Sequence, residues 1–476
     1  MGAASEVRNL PPVARDLPEI DWLTHEDAAQ RGVSYWDSAA LDAAALARPA
    51  STQEVAAILR ACYSAGQSVV THGGRTTCVD GVRTLPDQIA LSLEKMNAII
   101  DIDPVEGTAT VEAGVVLQTL QEAAEEAGMY FPLDLGARGS CTIGGNAATN
   151  AGGVNVLRYG MMRNLVLGLE AVLADGSVIS SMNRMLKNNA GYDLKQLFIG
   201  TEGTLGVITQ LVLRLEPLPG QLHTAMVAVA DFAGIMHLLK EARVRLGAGL
   251  HAFELMWGSY YDAVTRPGGH APPLERGAPF YLLIEASGDQ GGAALESYLE
   301  FAFAEGLVID GTLAQSLTQR QQLWTVRDDF EAILKDGRTY LYDVSLPLRA
   351  MQGYVAEVTE RFLKAFPQGV VYVFGHICDG NLHIFLAPHA AQIGSSSGQN
   401  WKEHRRSADA SVYEPLRAVG GSVSAEHGIG REKRDWLQIS RTEEEIALMR
   451  TLKSSLDPRN ILNPGLVIDV DRDSAS

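Results

Sequence analysis

The chain has 476 residues, of which 46% are hydrophobic and 20% are charged, and its formal net charge is −18 at pH 7. This length exceeds what one hydrophobic core usually serves, so we expect two or more packed units. The acidic balance argues against a surface for nucleic acid or for an anionic membrane. No apolar run approaches the roughly 18–20 residues of a membrane span, and the start has no basic and apolar signal segment. These features predict a cytoplasmic protein.

The first part of the chain predicts a mixture of helices and hairpins. A helix is expected over residues 51–66, because Ser51 and Glu54 form a capping box and Gly66 can end the helix. Further expected elements are strands over 68–71, 88–93, 108–112 and 207–215, a helix over 116–127, a glycine-rich loop tract over 136–153, and a hairpin turning at Asp175-Gly176. This order lacks regular βαβ alternation, so it predicts an α+β domain over residues 1–220.

Three glycine clusters in this part predict a site for a ligand that carries phosphate groups. They are Gly73-Gly74, the stretch from Gly144 to Gly153, and the segment from Gly200 to Gly206. Glycine lets backbone amides approach an anion closely, and nearby serine and threonine hydroxyls can add donors. For any one cluster a plain turn is an equally good interpretation. All three together favour a long diphosphate ligand.

Beyond residue 220 the pattern changes to strand, helix, strand units. The expected strands are 224–229, 280–285, 342–346 and 370–374, and the expected helices are 232–246, 293–305 and 352–366. Gly247 to Ala252 has Gly-x-Gly-x-x-Ala spacing but follows a helix rather than a strand, so we reject a dinucleotide site there. The units predict an antiparallel sheet with helices on one face, as a second domain over residues 221–415. A mobile loop is expected over residues 391–400.

The stretch from Gly375 to His383, Gly-His-Ile-Cys-Asp-Gly-Asn-Leu-His, predicts a metal site. Asp379-Gly380 is a two-residue turn signal, and pairing outward from it sets His376 opposite His383 on one face of a hairpin. Directly opposed residues have Cβ atoms roughly 4.5–5.5 Å apart, so both rings could reach one divalent ion. For an isolated pair of histidines at this spacing, ordinary core or surface residues are the commoner explanation.

The adjacent pair Glu426-His427 makes a catalytic metal site the better interpretation of the two histidines. Neighbours on an extended chain point to opposite sides, so the two are not expected to bind one ion together unless the glycines that follow bend the backbone. This favours separate roles for the two residues, with Glu426 as the third metal ligand and one coordination position left open to substrate. Zinc suits these ligands best. Histidine can accept a proton near neutral pH, so His427 is the expected catalytic base.

Several motifs together resemble the FAD-linked D-2-hydroxy-acid dehydrogenases of the vanillyl-alcohol-oxidase flavoprotein superfamily. They are the segment from Asp134 to Asn146, the segment from Asn189 to Leu194 with Gly200 to Gly206, and the histidine stretch with Glu426-His427. The resemblance extends from about residue 48 to residue 465. It implies a two-part FAD-binding domain of the PCMH type, an antiparallel-sheet substrate cap domain, and a C-terminal helical return, residues 416–476, that completes the active site.

The resemblance also implies which residues hold FAD. They are Gly73, Gly74, Arg75, Thr76, Thr77, Ser140, Thr142, Gly144, Gly145, Asn146, Thr149, Asn150, Gly153, Glu202, Gly203, Thr204, Gly206, Ile208 and Asn463. In relatives that link flavin covalently through histidine, the residue after the Gly-Gly pair often serves. Because Arg75 stands there, non-covalent FAD is expected.

The segment Trp324 to Arg327 matches the family's Trp-x-x-Arg, whose arginine grips the substrate carboxylate with its two-pronged donor geometry. From the residues alone, Arg327 would be an exposed helix charge. Members that act on D-2-hydroxyglutarate carry a lysine and an asparagine where Leu341 and Phe385 stand here. An apolar wall would leave a second carboxylate unpaired, at a cost of about several kcal/mol or a shifted pKa. D-lactate or a larger monocarboxylic D-2-hydroxy acid is therefore the expected substrate.

The leading hypothesis is FAD- and metal-dependent oxidation of such an acid to the 2-oxo acid. D-2-hydroxyglutarate is the alternative substrate. A FAD-binding electron-transfer subunit of a glycolate-oxidase-like complex is disfavoured, because it needs neither the histidine hairpin nor Glu426-His427. A metal-dependent hydrolase is disfavoured because it would not need three glycine clusters. The expected electron acceptor is an electron-transfer flavoprotein or a quinone, and a homodimer is the assembly considered.

Overall fold

The computed structural model describes residues 10–288, 292–335, 337–389 and 399–470, and these form two compact units. The first unit contains the described residues up to Gly153, Tyr159–Leu218, and the chain from Glu426 onward. The second contains Val154–Arg158 and Pro219–Ala425. Most of the loop expected over residues 391–400 lies outside the described residues.

In its described residues, the first unit contains three sheets. Its strands are β1 Trp22–Thr24, β2 Ala45–Ala47, β3 Val69–His72, β4 Ile89–Ser92, β5 Ile99–Asp103, β6 Thr108–Glu112, β7 Met129–Tyr130, β8 Val166–Val172, β9 Val178–Ser181, β10 Val207–Arg214 and β11 Glu216–Pro217. A mixed sheet has the order β1-β2-β4-β3, an antiparallel sheet has the order β5-β6-β10-β8-β9, and β7 pairs with β11. The Asp175-Gly176 hairpin between β8 and β9 is confirmed.

The first unit also contains helices. They are Pro12–Arg15, His25–Ala28, Thr52–Ala65, Leu117–Glu126, Ile143–Thr149, Met162–Leu165 and Glu443–Leu456. Ser51 accepts a hydrogen bond from the Glu54 amide and Gly66 ends the helix at φ 66°. The Glu54 carboxylate accepts from the Ala50 amide, so only half of that predicted capping box forms as expected. The helix Ile143–Thr149 lies inside the glycine tract, which therefore is not wholly a loop.

The part of the second unit that the structure describes is built on one seven-stranded antiparallel sheet. Its strands are β12 Leu222–Val229, β13 Leu250–Trp257, β14 Phe280–Ser287, β15 Asp310–Leu313, β16 Tyr340–Ser345, β17 Val370–His376 and β18 Asn381–Ala387. Their order is β15-β12-β14-β13-β17-β18-β16. The helices are Phe232–Arg245, Gly258–Val264, Ala293–Ala304, Leu317–Asp328, Glu331–Leu334, Met351–Ala365 and Gln399–Val419. The antiparallel sheet was expected, but β13 was not.

Helices cover both faces of this sheet, so the prediction of helices on one face is wrong. Met226 belongs to a buried cluster with residues of the helices Gly258–Val264 and Leu317–Asp328. Its neighbour Val227 points the opposite way, to the side where Phe303 of another helix lies. A central strand covered on both faces reads as an almost continuous apolar run, without the alternation that marks a half-buried strand. Within the described residues, no helix is long and apolar enough to cross a membrane.

Candidate active site

β17 and β18 carry two histidines on one face of the sheet in the second unit. Phe374, rather than His376, lies opposite His383, so the predicted register is wrong by two residues. The connection between the two strands spans residues 377–380. Within it, the Asp379 amide donates a hydrogen bond to the His376 carbonyl at 3.3 Å. A shift of two residues keeps every side chain on its face, and the two imidazole centroids are 5.4 Å apart. The inference that both rings share one face therefore holds.

A buried carboxylate lies beside each histidine. Glu254 on β13 faces His376 across the strand pair, and its Oε1 is 2.8 Å from His376 Nδ1. Asp343 on β16 lies opposite His383, with Oδ1 3.8 Å from His383 Nδ1. Metal-binding histidines commonly direct their other ring nitrogen to a carboxylate, which fixes the tautomer and the ring orientation. The two carboxylates were not identified from the sequence.

Arg327 is buried in the same cluster, so the residue-only interpretation of an exposed helix charge is wrong. Its Nε donates to Glu254 Oε2 at 2.8 Å, and its guanidinium carbon lies 4.9 Å from the centre of the Phe374 ring. Burial opposes the charge on Arg327, but Glu254 and its other neighbours raise the pKa of the guanidinium further. Burial likewise opposes ionisation of Glu254, yet His376 and Arg327 together hold the pKa of its carboxyl below the ordinary value. The pair is therefore ionic.

Apolar side chains adjoin this charged group. Phe385 lies opposite Leu341 on the β16 and β18 pair. The Phe385 ring centre is 5.7 Å from that of Phe374 and 5.8 Å from that of Phe330. Leu341 is half-buried against the same cluster. The structure thus places the two residues expected to set substrate preference in the same apolar cluster as Phe374, next to Arg327.

The three glycine clusters converge within the first unit. A Cβ atom on Gly73 would lie 2.6 Å from Thr142 Oγ1, and one on Gly74 would clash with the carbonyl oxygen of Ser140. The amide of Gly200 donates to Ala147 at 3.0 Å, and the amide of Glu202 donates to Ala148 at 2.8 Å. The first cluster therefore packs on the residues just before the second cluster, and the third cluster hydrogen-bonds to the second. The close approach at Gly73 and Gly74 explains why glycine is required there.

This region fits the diphosphate of FAD. Among the described residues, the buried Thr142 hydroxyl has no hydrogen-bond partner. A buried polar atom of this kind usually has a partner, so it points to a ligand or a water. Thr142 lies directly before the helix Ile143–Thr149, and a Cβ atom on Gly73 or Gly145 would lie 2.6 or 3.2 Å from its hydroxyl, so both glycines leave room beside it.

Other residues expected to bind FAD use their polar atoms to shape the loops. Thr204 donates to the Thr201 carbonyl at 2.7 Å. Asn463 accepts from the Thr71 amide at 2.9 Å and donates to the Glu202 carbonyl at 2.6 Å. Arg75 donates to the Gly32 carbonyl. Their contacts to FAD stay predictions, whereas their contacts to the backbone are observed.

Glu202 holds the backbone that follows His427. Its carboxylate accepts hydrogen bonds from the amides of Ile429 at 2.7 Å and Gly430 at 2.9 Å. Burial raises the pKa of this carboxyl, although the two amides act in the opposite direction. Glu426 Oε1 accepts from the Gly153 amide at 2.6 Å. Glu426 and His427 thus belong to the first unit, whereas Arg327 and the two histidines of the hairpin belong to the second.

Two family models match different parts of this chain. A family model described as "FAD binding domain" matches residues 43–181, and one described as "FAD linked oxidases, C-terminal domain" matches residues 218–467. In solved structures, p-cresol methylhydroxylase matches with a TM-score of 0.74 at 17% identity, covering 98% of this chain and 97% of that one. Alkyldihydroxyacetonephosphate synthase matches with a TM-score of 0.69 at 17% identity, covering 96% and 87%. The fold is thus of the PCMH type, as expected.

Curated relatives are much more similar in sequence. The mitochondrial D-2-hydroxyglutarate dehydrogenase of Bos taurus is 41% identical over 457 residues, which cover 95% of this chain and 79% of the relative. The D-2-hydroxyglutarate dehydrogenase of Xanthomonas citri pv. viticola is 39% identical and covers 89% of both chains. A Schizosaccharomyces pombe protein whose name places it with the D-lactate dehydrogenases is 37% identical, covering 88% and 80%. The chain therefore belongs to the FAD-linked oxidases, in the family that contains the D-2-hydroxyglutarate dehydrogenases.

Proposed function

We propose that this protein oxidises a D-2-hydroxy acid to the corresponding 2-oxo acid with FAD and a divalent metal. The observation that carries the proposal is the buried group in the second unit, where His376, His383 and Arg327 lie together in a chain with a FAD-binding domain. Two histidines suit a metal, and an arginine suits a carboxylate. A 2-hydroxy acid offers a hydroxyl and a carboxylate on adjacent carbons.

We assign the roles of the residues as follows. Arg327 binds the substrate carboxylate and orients the α-carbon. His376, His383 and Glu426 would hold the metal, and zinc suits this donor set. The metal, when bound, supplies Lewis acidity at the substrate hydroxyl. His427 accepts the hydroxyl proton. Bound FAD would supply hydride-acceptor chemistry for the α-carbon of the substrate.

We propose that the preferred substrate is D-lactate or a larger monocarboxylic acid. Leu341 and Phe385 belong to an apolar cluster that adjoins Arg327, and they provide no charge for a second carboxylate. An unpaired carboxylate against such a wall costs about several kcal/mol or must take up a proton. Apolar side chains on the substrate would instead gain from burial.

D-2-hydroxyglutarate is the second candidate substrate. It is favoured by the names of relatives that are 41% and 39% identical to this chain. The two candidates differ in one carboxylate, so relative kcat/KM values separate them. A higher kcat/KM for D-2-hydroxyglutarate than for D-lactate and its larger homologues would establish this alternative.

The experiment that tests the proposed reaction is a substrate screen with the purified FAD-loaded protein in the absence of oxygen. D-2-hydroxy acids should bleach the flavin absorbance, and their L-enantiomers should not. Acid or heat should release about one intact FAD per chain, because Arg75 replaces the histidine used for covalent attachment. Flavin extracted only as a peptide adduct would contradict the non-covalent assignment.

The physiological acceptor, the assembly and the location complete the proposal. We propose an electron-transfer flavoprotein or a quinone as the acceptor, and a homodimer as the assembly. The cytoplasmic location stays a prediction from the sequence, since the bovine relative is named as mitochondrial.

A further inference from the structure

Glu254 is the one fully buried carboxylate, among the residues that the structure describes, that bonds both to a proposed metal ligand and to the proposed substrate-binding arginine. It lies in the middle of β13 and is 0% exposed. Its Oε1 lies 2.8 Å from His376 Nδ1. Its Oε2 lies 2.8 Å from Arg327 Nε and 2.7 Å from Arg327 Nη2. Each oxygen therefore serves a different partner.

We propose that Glu254 is a positioning residue that orients the metal-binding His376 and the substrate-binding Arg327 together. The proposal rests on the proposed function, because it takes His376 as a metal ligand. Accepting the proton of Nδ1 fixes the tautomer of His376 and leaves Nε2 as the nitrogen that can bind the metal. Holding Nε and Nη2 of Arg327 fixes the plane of the guanidinium, whose Nη1 also lies 3.3 Å from Asp328 Oδ1, and this plane sets the direction in which Arg327 can donate to a substrate carboxylate.

The surroundings of Glu254 support a role in orientation more than one in stability. Replacing a whole buried ion pair by apolar residues is often neutral or stabilising, so the pair is weak evidence for stability. Glu254 lies on the central strand β13, directly opposite His376 on β17. The backbone pairing therefore fixes the distance between the two residues. The contacts to Arg327 and His376 link residues that are 73 and 122 positions apart in the chain.

Glu285 provides a matched control in the same sheet. It lies on the neighbouring strand β14, is 4% exposed, and accepts two hydrogen bonds from Arg320 at 2.7 and 2.9 Å. It also accepts from the indole nitrogen of Trp324 at 2.8 Å. The residues Glu285 and Glu254 are thus both buried carboxylates paired with an arginine of the helix Leu317–Asp328. Only Glu254 contacts His376.

The test compares the zinc affinity of the full FAD-loaded chain with that of Glu254→Gln and Glu285→Gln. Each protein is stripped with a chelator and titrated with zinc against a chromogenic competitor. Glu254→Gln should bind zinc roughly 10- to 100-fold more weakly, because a glutamine has one acceptor oxygen for two partners. The KM for D-lactate should also rise, since the amide group places donors against Arg327. FAD content and zinc affinity should not change in Glu285→Gln.

A second variant covers the case in which Glu254→Gln does not fold. Glu254→Asp keeps the charge but is one methylene shorter, so its carboxylate cannot span both partners, and the same loss of zinc affinity is expected. If Glu254→Gln or Glu254→Asp binds zinc as tightly as the parent, or if Glu285→Gln loses as much affinity, the role of Glu254 is overturned while the metal site stands. If the parent protein itself binds no zinc, the proposed metal site fails, and this inference fails with it.

Discussion

Around the glycine clusters of the first unit, polar side chains bond to the backbone of the protein, as Thr204 does with Thr201 and Asn463 with Thr71. Around the histidines of the second unit, side chains bond to side chains, as Glu254 does with Arg327. In the first arrangement the side chains hold loops whose backbone amides can bind an anion, so many atoms contribute to the binding of one ligand. The second concentrates binding in a few charged groups. A single substitution should therefore reduce activity or ligand affinity far more in the second arrangement than in the first.

His427 gives the largest expected effect and is the exception to this comparison, because it is a proposed catalytic side chain in the unit whose other polar side chains bond to backbone. His427→Ala should slow flavin reduction by roughly 10²- to 10⁴-fold, the range typical of a lost general base, while FAD and metal are retained. Rapid-mixing absorbance and metal analysis measure the two properties. His383→Ala is the matched control and should lose metal along with activity. Near-normal flavin reduction in folded His427→Ala would assign the proton to another base.

Arg327 gives the next largest effect. Arg327→Lys keeps the charge but loses the two-pronged donor geometry, so kcat/KM should fall roughly 10- to 100-fold, as expected for hydrogen bonds to a charged group. Steady-state kinetics with D-lactate measure the loss. Arg320→Lys, on the same helix but paired with Glu285, should leave kcat/KM unchanged. Equal losses in both variants would mean that Arg327 acts through stability and not through the substrate.

The apolar wall should give a smaller effect, on selectivity. The double variant Leu341→Lys with Phe385→Asn introduces the residues carried by members that act on D-2-hydroxyglutarate. The ratio of kcat/KM for D-2-hydroxyglutarate over D-lactate should rise roughly 10-fold, because one new charge-assisted hydrogen bond contributes about 1.5 kcal/mol. Thermal unfolding controls for the loss of Phe385 packing. An unchanged ratio would show that the second carboxylate binds elsewhere.

Thr142 should give the smallest effect and tests the other side of the comparison. Thr142→Ala removes one hydroxyl from a site in which backbone groups share the binding, so the FAD dissociation constant should rise only about 3- to 10-fold, equivalent to about 1 kcal/mol. Fluorescence titration of the apoprotein with FAD measures the change. Thr209→Ala is the control, since its hydroxyl donates to Glu170 Oε1 at 3.1 Å and Thr209 is not among the residues expected to hold FAD. A loss of several hundred-fold for Thr142→Ala would mean that this side chain dominates FAD binding.

The same comparison explains what the sequence could predict. His376 and His383 were placed on one face despite a wrong turn, because a register error of two residues leaves the faces unchanged. The helix Ile143–Thr149 was missed because glycines in its first turn disfavour a helix by about 1 kcal/mol each. Packing decides there, since a Cβ atom on Gly144 would lie only 2.5 Å from that of Ala113.

Glu254 could not be found from local sequence patterns. β13 has no polar and apolar alternation, because helices cover both faces of the sheet. The partners of Glu254 lie far along the chain, and nothing in its own neighbourhood marks the carboxylate as paired. The family motif led to Arg327, but only the sheet order, which sets β13 next to β17, identifies the residue that holds it.

The most direct test of the proposed function is anaerobic flavin reduction by D-lactate before and after removal of the metal. The metal-loaded protein should reduce its flavin rapidly with D-lactate and not with L-lactate. Treatment with a chelator should abolish this reduction without releasing FAD, and added zinc should restore it. Full reduction by D-lactate at an unchanged rate in protein shown by elemental analysis to be free of metal would contradict the proposal.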